Sequence, residues 1–153
     1  DVERKRLFGE QTSETAGQLQ TGIYSADASE ATYERLHQLA AVILRAGFPV
    51  AIDATYLKQS QRQAAAEIAS ETGVPFLILD CNAPDAVIAS WLAQRQADQN
   101  DPSDATLEVV AAQQASREAL SSEELLQSKR VETNESGSLD DLVKQIRQRL
   151  PGL

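Results

Sequence analysis

The 153-residue sequence contains no methionine, one cysteine and no long apolar run. Because translation starts at methionine, and because the chain opens on the charged run Asp-Val-Glu-Arg-Lys-Arg, we expect it to be a piece of a longer protein. The single cysteine, Cys81, cannot form a disulfide within the chain, which favours a reducing compartment such as the cytoplasm. No segment approaches the roughly 18 to 20 apolar residues of a membrane-spanning helix, so we expect no membrane partner.

The sequence is also short of basic residues. It has 14 Lys and Arg against 23 Asp and Glu, for a net charge of −9. A protein that binds nucleic acid through its phosphates is usually basic, so this charge argues against nucleic acid as the main partner. A single nucleotide needs only a few well-placed cations and stays compatible with the composition.

What the sequence does contain is an alternation of helical and strand patterns. Short apolar runs predict strands at 49–53 and 75–80, with a weaker pattern at 129–133. Periodic apolar positions predict the main helices at 29–46, 57–72, 84–97, 105–117 and 138–150. Capping-box pairs predict helix starts at Asp27 with Glu30 and at Ser121 with Glu124, and Gly73 is a signal for a helix end. Strands that are apolar throughout and separated by helices are typical of a parallel sheet covered by helices. We therefore predict an α/β fold and a single, partial domain over residues 1–153.

In such sheets ligands bind beyond the carboxyl ends of the strands. Asp53 ends the first predicted strand, where its carboxylate could hold Mg²⁺ directly or through water, or simply cap the next segment. Asp80 and Cys81 end the second predicted strand. We expect Cys81 to be a buried small side chain and Trp91 to lie in the core. His37 has no Cys, Asp or second His at ligand spacing, so we expect it to pack or to lie at the surface.

Charged residues elsewhere also fit phosphate chemistry. On a helix, Asp1 and Arg4 would share one face and could orient an acceptor hydroxyl, although the same spacing fits an ordinary charged first turn. Arg62, Arg95 and Arg117 could close over a polyphosphate from a helical hairpin, although most helical arginines are simply solvated. The 153 residues contain no GxxxxGK[ST], no GxGxxG, no serine nucleophile elbow and no metal-ligand cluster.

Several segments in this order resemble a P-loop kinase family of small, AAA-type predicted ATPases and kinases. The resemblance is to the domain fused behind aminoglycoside-phosphotransferase-like domains, and more distantly to polynucleotide kinases, gluconate kinases and zeta toxins. The segments that carry it are Asp1-Val-Glu-Arg-Lys-Arg-Leu-Phe-Gly9, Gly22-Ile-Tyr24, Ala46-Gly-Phe-Pro-Val-Ala-Ile-Asp-Ala-Thr-Tyr-Leu57, Gln61-Arg62, Pro75-Phe-Leu-Ile-Leu-Asp-Cys81, Ala83-Pro84 and Arg95.

The resemblance implies ATP and Mg²⁺ as cofactors and a small-molecule hydroxyl as acceptor. Asp1 would orient or deprotonate that hydroxyl, and Arg4 would hold the acceptor. Asp53 and Thr55 would lie near Mg²⁺ and the γ-phosphate, and the loop after Thr133 would lie near the adenine.

The resemblance also implies a helical lid over about residues 95–120, with Arg95 facing the phosphates. Arg62 and Arg117 would contribute to nucleotide binding from beside it. Trp91 stands where a second lid arginine is expected, and Arg117-Glu-Ala-Leu lacks the proline of the family's Arg-Glu-Pro-Leu. Acceptor specificity is expected in the loop at 7–26 and in residues outside the sequence.

Three functions therefore stay open at this point. The chain could be part of an ATP-dependent kinase that is inactive as this piece alone, because it lacks a phosphate loop. It could be a regulatory or degenerate nucleotide-binding module. It could also be an interaction fragment that self-associates through a face exposed by truncation.

We predict that the codons directly upstream of Asp1 encode an apolar strand followed by GxxxxGK[ST], within roughly 30 residues. Such a loop supplies the backbone amides and the lysine that hold the β- and γ-phosphates. Sequencing that DNA and measuring the intact mass of the protein check the prediction. If no phosphate loop is encoded there, the kinase interpretation is wrong.

Overall fold

The computed structural model describes residues 1–9, 25–98, 105–134 and 139–150, in which the chain forms seven helices and two strands. They are α1 (Val2–Phe8), α2 (Ala26–Arg45), α3 (Gln59–Thr72), β1 (Ile78–Asn82), α4 (Asp85–Asp98), α5 (Leu107–Ser116), α6 (Ser122–Leu126), β2 (Ser128–Glu132) and α7 (Leu139–Arg149). Within these ranges no helix combines the length and the apolar character needed to cross a membrane.

The two strands pair in parallel, with Ile78 opposite Ser128 and Asn82 opposite Glu132. The chain passes from β1 to β2 through α4, α5 and α6. Parallel strands need such a long crossover, and their carboxyl ends then lie at the same edge of the sheet. This arrangement agrees with the predicted α/β class, and both strands lie within three residues of their predicted positions.

The predicted strand at 49–53 is wrong. These residues have no strand conformation, and the sheet in the described part of the chain consists of β1 and β2. An apolar run becomes a strand only when a neighbouring strand supplies hydrogen-bond partners, which periodicity does not reveal. Pro49 further weakens the segment because it has no N–H to donate.

Helix α2 provides most of the buried surface. It begins one residue after Ser25, whose Oγ accepts a hydrogen bond from the Ala28 N–H at 3.2 Å. The expected start at an Asp27–Glu30 capping box was therefore misplaced. The helix packs on α1 and α3. Its buried residues are Ala28, Thr32, Tyr33, Ala40 and Ala41.

Two expected core residues lie near the surface instead. Trp91 on α4 is 37% exposed, whereas its neighbour Leu92 is buried. Cys81 near the end of β1 is also exposed.

Arg62 joins helix α3 to a distant part of the chain. Its side chain is 4% exposed, and its Nε and Nη2 donate to the Glu124 carboxylate at 2.6 and 3.1 Å. Nη1 donates to the backbone oxygens of Tyr56 and Leu57 at 3.0 and 3.4 Å, and Nη2 also donates to that of Ala119 at 3.2 Å. All the N–H groups of a guanidinium are satisfied in this way, which makes the buried charge tolerable.

We predict that Glu124→Gln lowers the free energy of unfolding by about 1 to 3 kcal/mol at pH 7, because the buried guanidinium loses its charged partner. Urea unfolding measures the change. Glu132→Gln is the matched control, since the Arg130–Glu132 pair lies at the surface, and it should change stability by less than about 0.5 kcal/mol.

The effect depends on pH in a defined direction. The hydrogen bond from Arg62 is the main cause that lowers the pKa of Glu124 below its ordinary 4.5. Stability from a lowered carboxyl pKa is present above the ordinary value and is lost as pH falls through the folded value. The difference between wild type and Glu124→Gln should therefore shrink below pH 4.5. A constant difference down to the acid transition would contradict the assignment.

Candidate functional site

The carboxyl edge of the sheet brings together charged residues from distant parts of the chain. Arg117, the residue after α5, donates from Nη2 to Oδ1 of Asp80 on β1. An open cleft of about 410 Å³ lies beside this ion pair. It is lined by Asp80, Gln114, Arg117, Ala119, Leu120 and Leu125. The cleft is of a size that accommodates a small polar ligand.

Asp53 acts electrostatically on Cys81 of β1, although 49–53 is not a strand. The pKa of the Cys81 thiol is raised, first by burial and then by the negative charges of Asp80 and Asp53. Both carboxylates therefore lie near Cys81. The strand-end prediction is wrong for Asp53, which follows no strand, and Asp80 lies two residues before the end of β1.

Thr133 follows β2 at the neighbouring strand end. Its backbone N–H and its Oγ1 both donate to the backbone oxygen of Asn82, at 2.8 and 2.9 Å. The Asn82 amide in turn donates to the backbone oxygen of Asp80 at 2.8 Å. The ends of both strands are thus connected by hydrogen bonds. The adenine contact at the loop after Thr133 stays a prediction.

Thr55 lies in the loop between Asp53 and α3. Its Oγ1 is 3.2 Å from the hydroxyl of Tyr33, which also accepts a hydrogen bond from the Tyr56 N–H at 2.9 Å. The Tyr56 hydroxyl is 3.2 Å from Nε2 of His37, and the three rings contact one another. Burial lowers the pKa of His37 and raises that of Tyr56. His37 therefore packs, as its isolation in the sequence predicts.

The two residues predicted on the acceptor side are close to each other. Asp1 precedes α1, and its Oδ1 lies 3.7 Å from Nε of Arg4. Arg4 also donates from Nη1 to Oγ of Ser29 on α2 at 3.2 Å. Helical spacing does place this carboxylate and guanidinium together. Their contact with an acceptor stays a prediction.

The predicted lid is described at its two ends, residues 95–98 and 105–120, and its middle lies outside the described residues. Arg95 is exposed in the last turn of α4. The other end is attached to α3. The Glu118 N–H donates to the Leu57 oxygen at 2.9 Å, and the Glu118 carboxylate accepts from the Gln59 N–H at 2.7 Å and from Lys58 Nζ at 3.2 Å. The two bonds to the carboxylate lower the pKa of Glu118, and the bond from the Gln59 N–H has the larger effect.

Arg62 differs from the other predicted nucleotide-binding arginines. Its donors are already engaged by Glu124 and by three backbone oxygens. These bonds give Arg62 a role in fold stability. They do not favour the predicted contact with nucleotide, which no observation tests.

Sequence reasoning missed several residues that arrange this site. Tyr33, Glu118 and Glu124 contact partners 22, 59 and 62 positions away along the chain. Local patterns carry no signal for such contacts, and Glu124 stood out only as the capping partner of Ser121. The structure pairs Asp80 with Arg117 and bonds Thr133, directly after β2, to Asn82 at the end of β1.

The oxygen ligands of the site are compatible with Mg²⁺. In the described residues no group of three or more His, Cys, Asp or Glu side chains is placed to hold a metal. Mg²⁺, however, usually binds through one or two carboxylates and completes its shell with waters and phosphate oxygens. The exposed Asp53 carboxylate fits that requirement, with the Thr55 hydroxyl two residues away.

Helices around a parallel strand pair, with a carboxylate and an arginine lining a cleft beside it, are typical of an α/β ligand-binding domain. Residues 1–120 match the family model described as AAA domain, and the chain belongs to this family. It therefore has the character of a P-loop, kinase-type nucleotide-binding domain. No curated protein and no solved structure matches the chain.

We predict that Asp53→Asn makes Cys81 react roughly twofold to fivefold faster with iodoacetamide near neutral pH. Removing a nearby negative charge lowers the pKa of the thiol and raises its thiolate fraction. Alkylation of this single cysteine can be followed by mass spectrometry. Asp27→Asn, on the exposed start of α2, should leave the rate unchanged. An unchanged rate in Asp53→Asn would place Asp53 away from the strand end.

Proposed function

We propose that the chain is the C-terminal portion of an ATP-dependent kinase that transfers the γ-phosphoryl group to a hydroxyl of a small molecule. The observation that carries the proposal is the Asp80–Arg117 ion pair, which lines an open cleft near the carboxyl end of β1. Membership in the AAA domain family supports the same class of ligand. A nucleotide bound with Mg²⁺ carries negative phosphates and a positive ion, which are complementary to an arginine and to carboxylates.

In this proposal Asp53 and Thr55 hold Mg²⁺ and the γ-phosphate. Bound Mg²⁺ neutralises charge on the β- and γ-phosphate oxygens and polarises the transferred group. Arg117 and Arg95 offer positive charge to the phosphates from the two ends of the lid. Arg117 would have to exchange Asp80 for a phosphate oxygen, which exposure of its side chain permits.

The acceptor would bind near the start of α1. The Asp1 carboxylate orients or deprotonates the attacking hydroxyl, and Arg4 keeps this carboxylate in place and holds the acceptor. Positioning and charge stabilisation account for most of the catalysis in such reactions. Because these 153 residues contain no GxxxxGK[ST], the proposal requires a phosphate loop supplied by residues outside the sequence.

A second candidate is a nucleotide-binding module without transfer activity. Two observations favour it. Trp91 stands on α4 where a lid arginine is expected, and Arg117 is neutralised by Asp80. Such a module would bind Mg²⁺ and ATP, and no acceptor would be phosphorylated.

We predict that Asp1→Ala in the full-length gene product lowers kcat for phosphoryl transfer by roughly 10²- to 10⁴-fold, as loss of a general base does. Binding of Mg²⁺ and ATP should be retained. Arg95→Ala should lower kcat by roughly 10²-fold or more, because a phosphate-facing cation is lost. The measurements are ATP turnover with a panel of hydroxyl compounds and nucleotide binding by calorimetry.

Arg35→Ala provides the control, because Arg35 is an exposed arginine on α2. It should leave kcat unchanged. Nucleotide binding without turnover in the wild type would select the second candidate. Unchanged kcat in both Asp1→Ala and Arg95→Ala would contradict the assigned roles.

A further inference from the structure

We propose that Tyr33 is a positioning residue that holds the Thr55 hydroxyl ready to donate a hydrogen bond to an anionic oxygen, namely a nucleotide phosphate. This inference rests on the proposed function and adds to it a residue outside the predicted site. Tyr33 lies on α2, is 9% exposed and contacts the loop that follows Asp53.

The direction of the hydrogen bonds follows from the chemistry of their partners. The Tyr56 N–H can only donate, so the Tyr33 oxygen accepts at that contact, at 2.9 Å. A tyrosine hydroxyl carries one hydrogen, which then remains for its second neighbour. That neighbour is Oγ1 of Thr55 at 3.2 Å. If Tyr33 donates to Thr55, its buried hydroxyl both accepts one hydrogen bond and donates one. Buried polar groups are normally satisfied in this way.

With these bond directions, the Thr55 hydroxyl can still donate one hydrogen bond. Its Oγ1 accepts from Tyr33 and keeps its own hydrogen, and the residue is exposed. An exposed hydroxyl donor two residues after the exposed Asp53 is complementary to a phosphate oxygen, which accepts strongly. Hydrogen bonds in a chain polarise one another, so the bond from Tyr33 makes the Thr55 hydroxyl a better donor.

The backbone of the loop supports the same interpretation. Tyr56 has a φ of 44°, in the left-handed region that a bulky side chain seldom adopts. Two contacts hold it there: its N–H donates to Tyr33, and its carbonyl accepts from Arg62 at 3.0 Å. Strained conformations of this kind persist only where the surroundings fix them, and they cluster at ligand sites. The turn therefore fixes Thr55 relative to α2 and α3.

The chain supplies a matched control for a test of this role. Tyr56 and Tyr33 belong to the same aromatic cluster, and each uses its hydroxyl in a hydrogen bond. The Tyr56 hydroxyl contacts His37, however, and not Thr55. Tyr56→Phe thus removes a hydroxyl from the cluster and leaves the bond between Tyr33 and Thr55 in place.

The experiment measures the affinity of the full-length gene product for ATP with Mg²⁺ in wild type, Tyr33→Phe, Thr55→Val, the double variant and Tyr56→Phe. Loss of one hydrogen bond predicts roughly 2- to 10-fold weaker binding in Tyr33→Phe and in Thr55→Val. In the Thr55→Val background, Tyr33→Phe should add less than about twofold, because residues in one network are not additive. Tyr56→Phe should bind as wild type does.

Hydrogen exchange at the Tyr56 amide tests the contact itself. It should be faster in Tyr33→Phe and unchanged in Thr55→Val. Equal effects of Tyr33→Phe in both backgrounds, or no effect on affinity, would overturn the positioning role while the proposed function stands. If the wild-type protein does not bind ATP with Mg²⁺, the proposed function fails, and this role fails with it.

Discussion

The buried guanidinium of Arg62 is the interaction on which the arrangement of the site depends. It lies near the start of α3 and binds the loop before that helix, the segment after α5 and helix α6 at the same time. Apolar burial alone would hold these parts weakly, since the buried apolar residues are mostly alanines. A charge in such a position must be paired, because an unpaired buried charge costs several kcal/mol. The segments that supply its acceptors are thereby fixed relative to one another.

The geometry of the site depends on these contacts of Arg62. The carbonyl of Tyr56 is one of the acceptors, so the loop that carries Thr55 is set by the same arginine. The segment at 117–120 is held from both sides, by Glu118 on the start of α3 and by Arg117 on Asp80. The end of the predicted lid at 117–120 is therefore attached on two sides.

The features predicted correctly from the sequence have local causes. Gly73 ends α3 with a φ of 69°, a left-handed conformation that favours glycine, and Ser121 with Glu124 forms the expected capping box. The parallel pairing followed from apolar strands separated by helices. The strand at 49–53 was wrong because a strand depends on a neighbour, and the start of α2 was misplaced because two polar residues competed as its cap. Partners such as Tyr33 with Thr55 are joined only by folding, so no spacing rule could have found them.

Glu124 has a consequence for the order in which the protein assembles. Its carboxylate caps α6 through the Ser121 N–H at 2.7 Å and binds Arg62 through the same oxygen at 3.1 Å. A helix of five residues is too short to persist alone, because nucleation is unfavourable. Helix α6 should therefore form late, when the contact across 62 positions closes. The Glu124 side chain thus couples the formation of α6 to the long-range contact with Arg62, so that both form or are lost together.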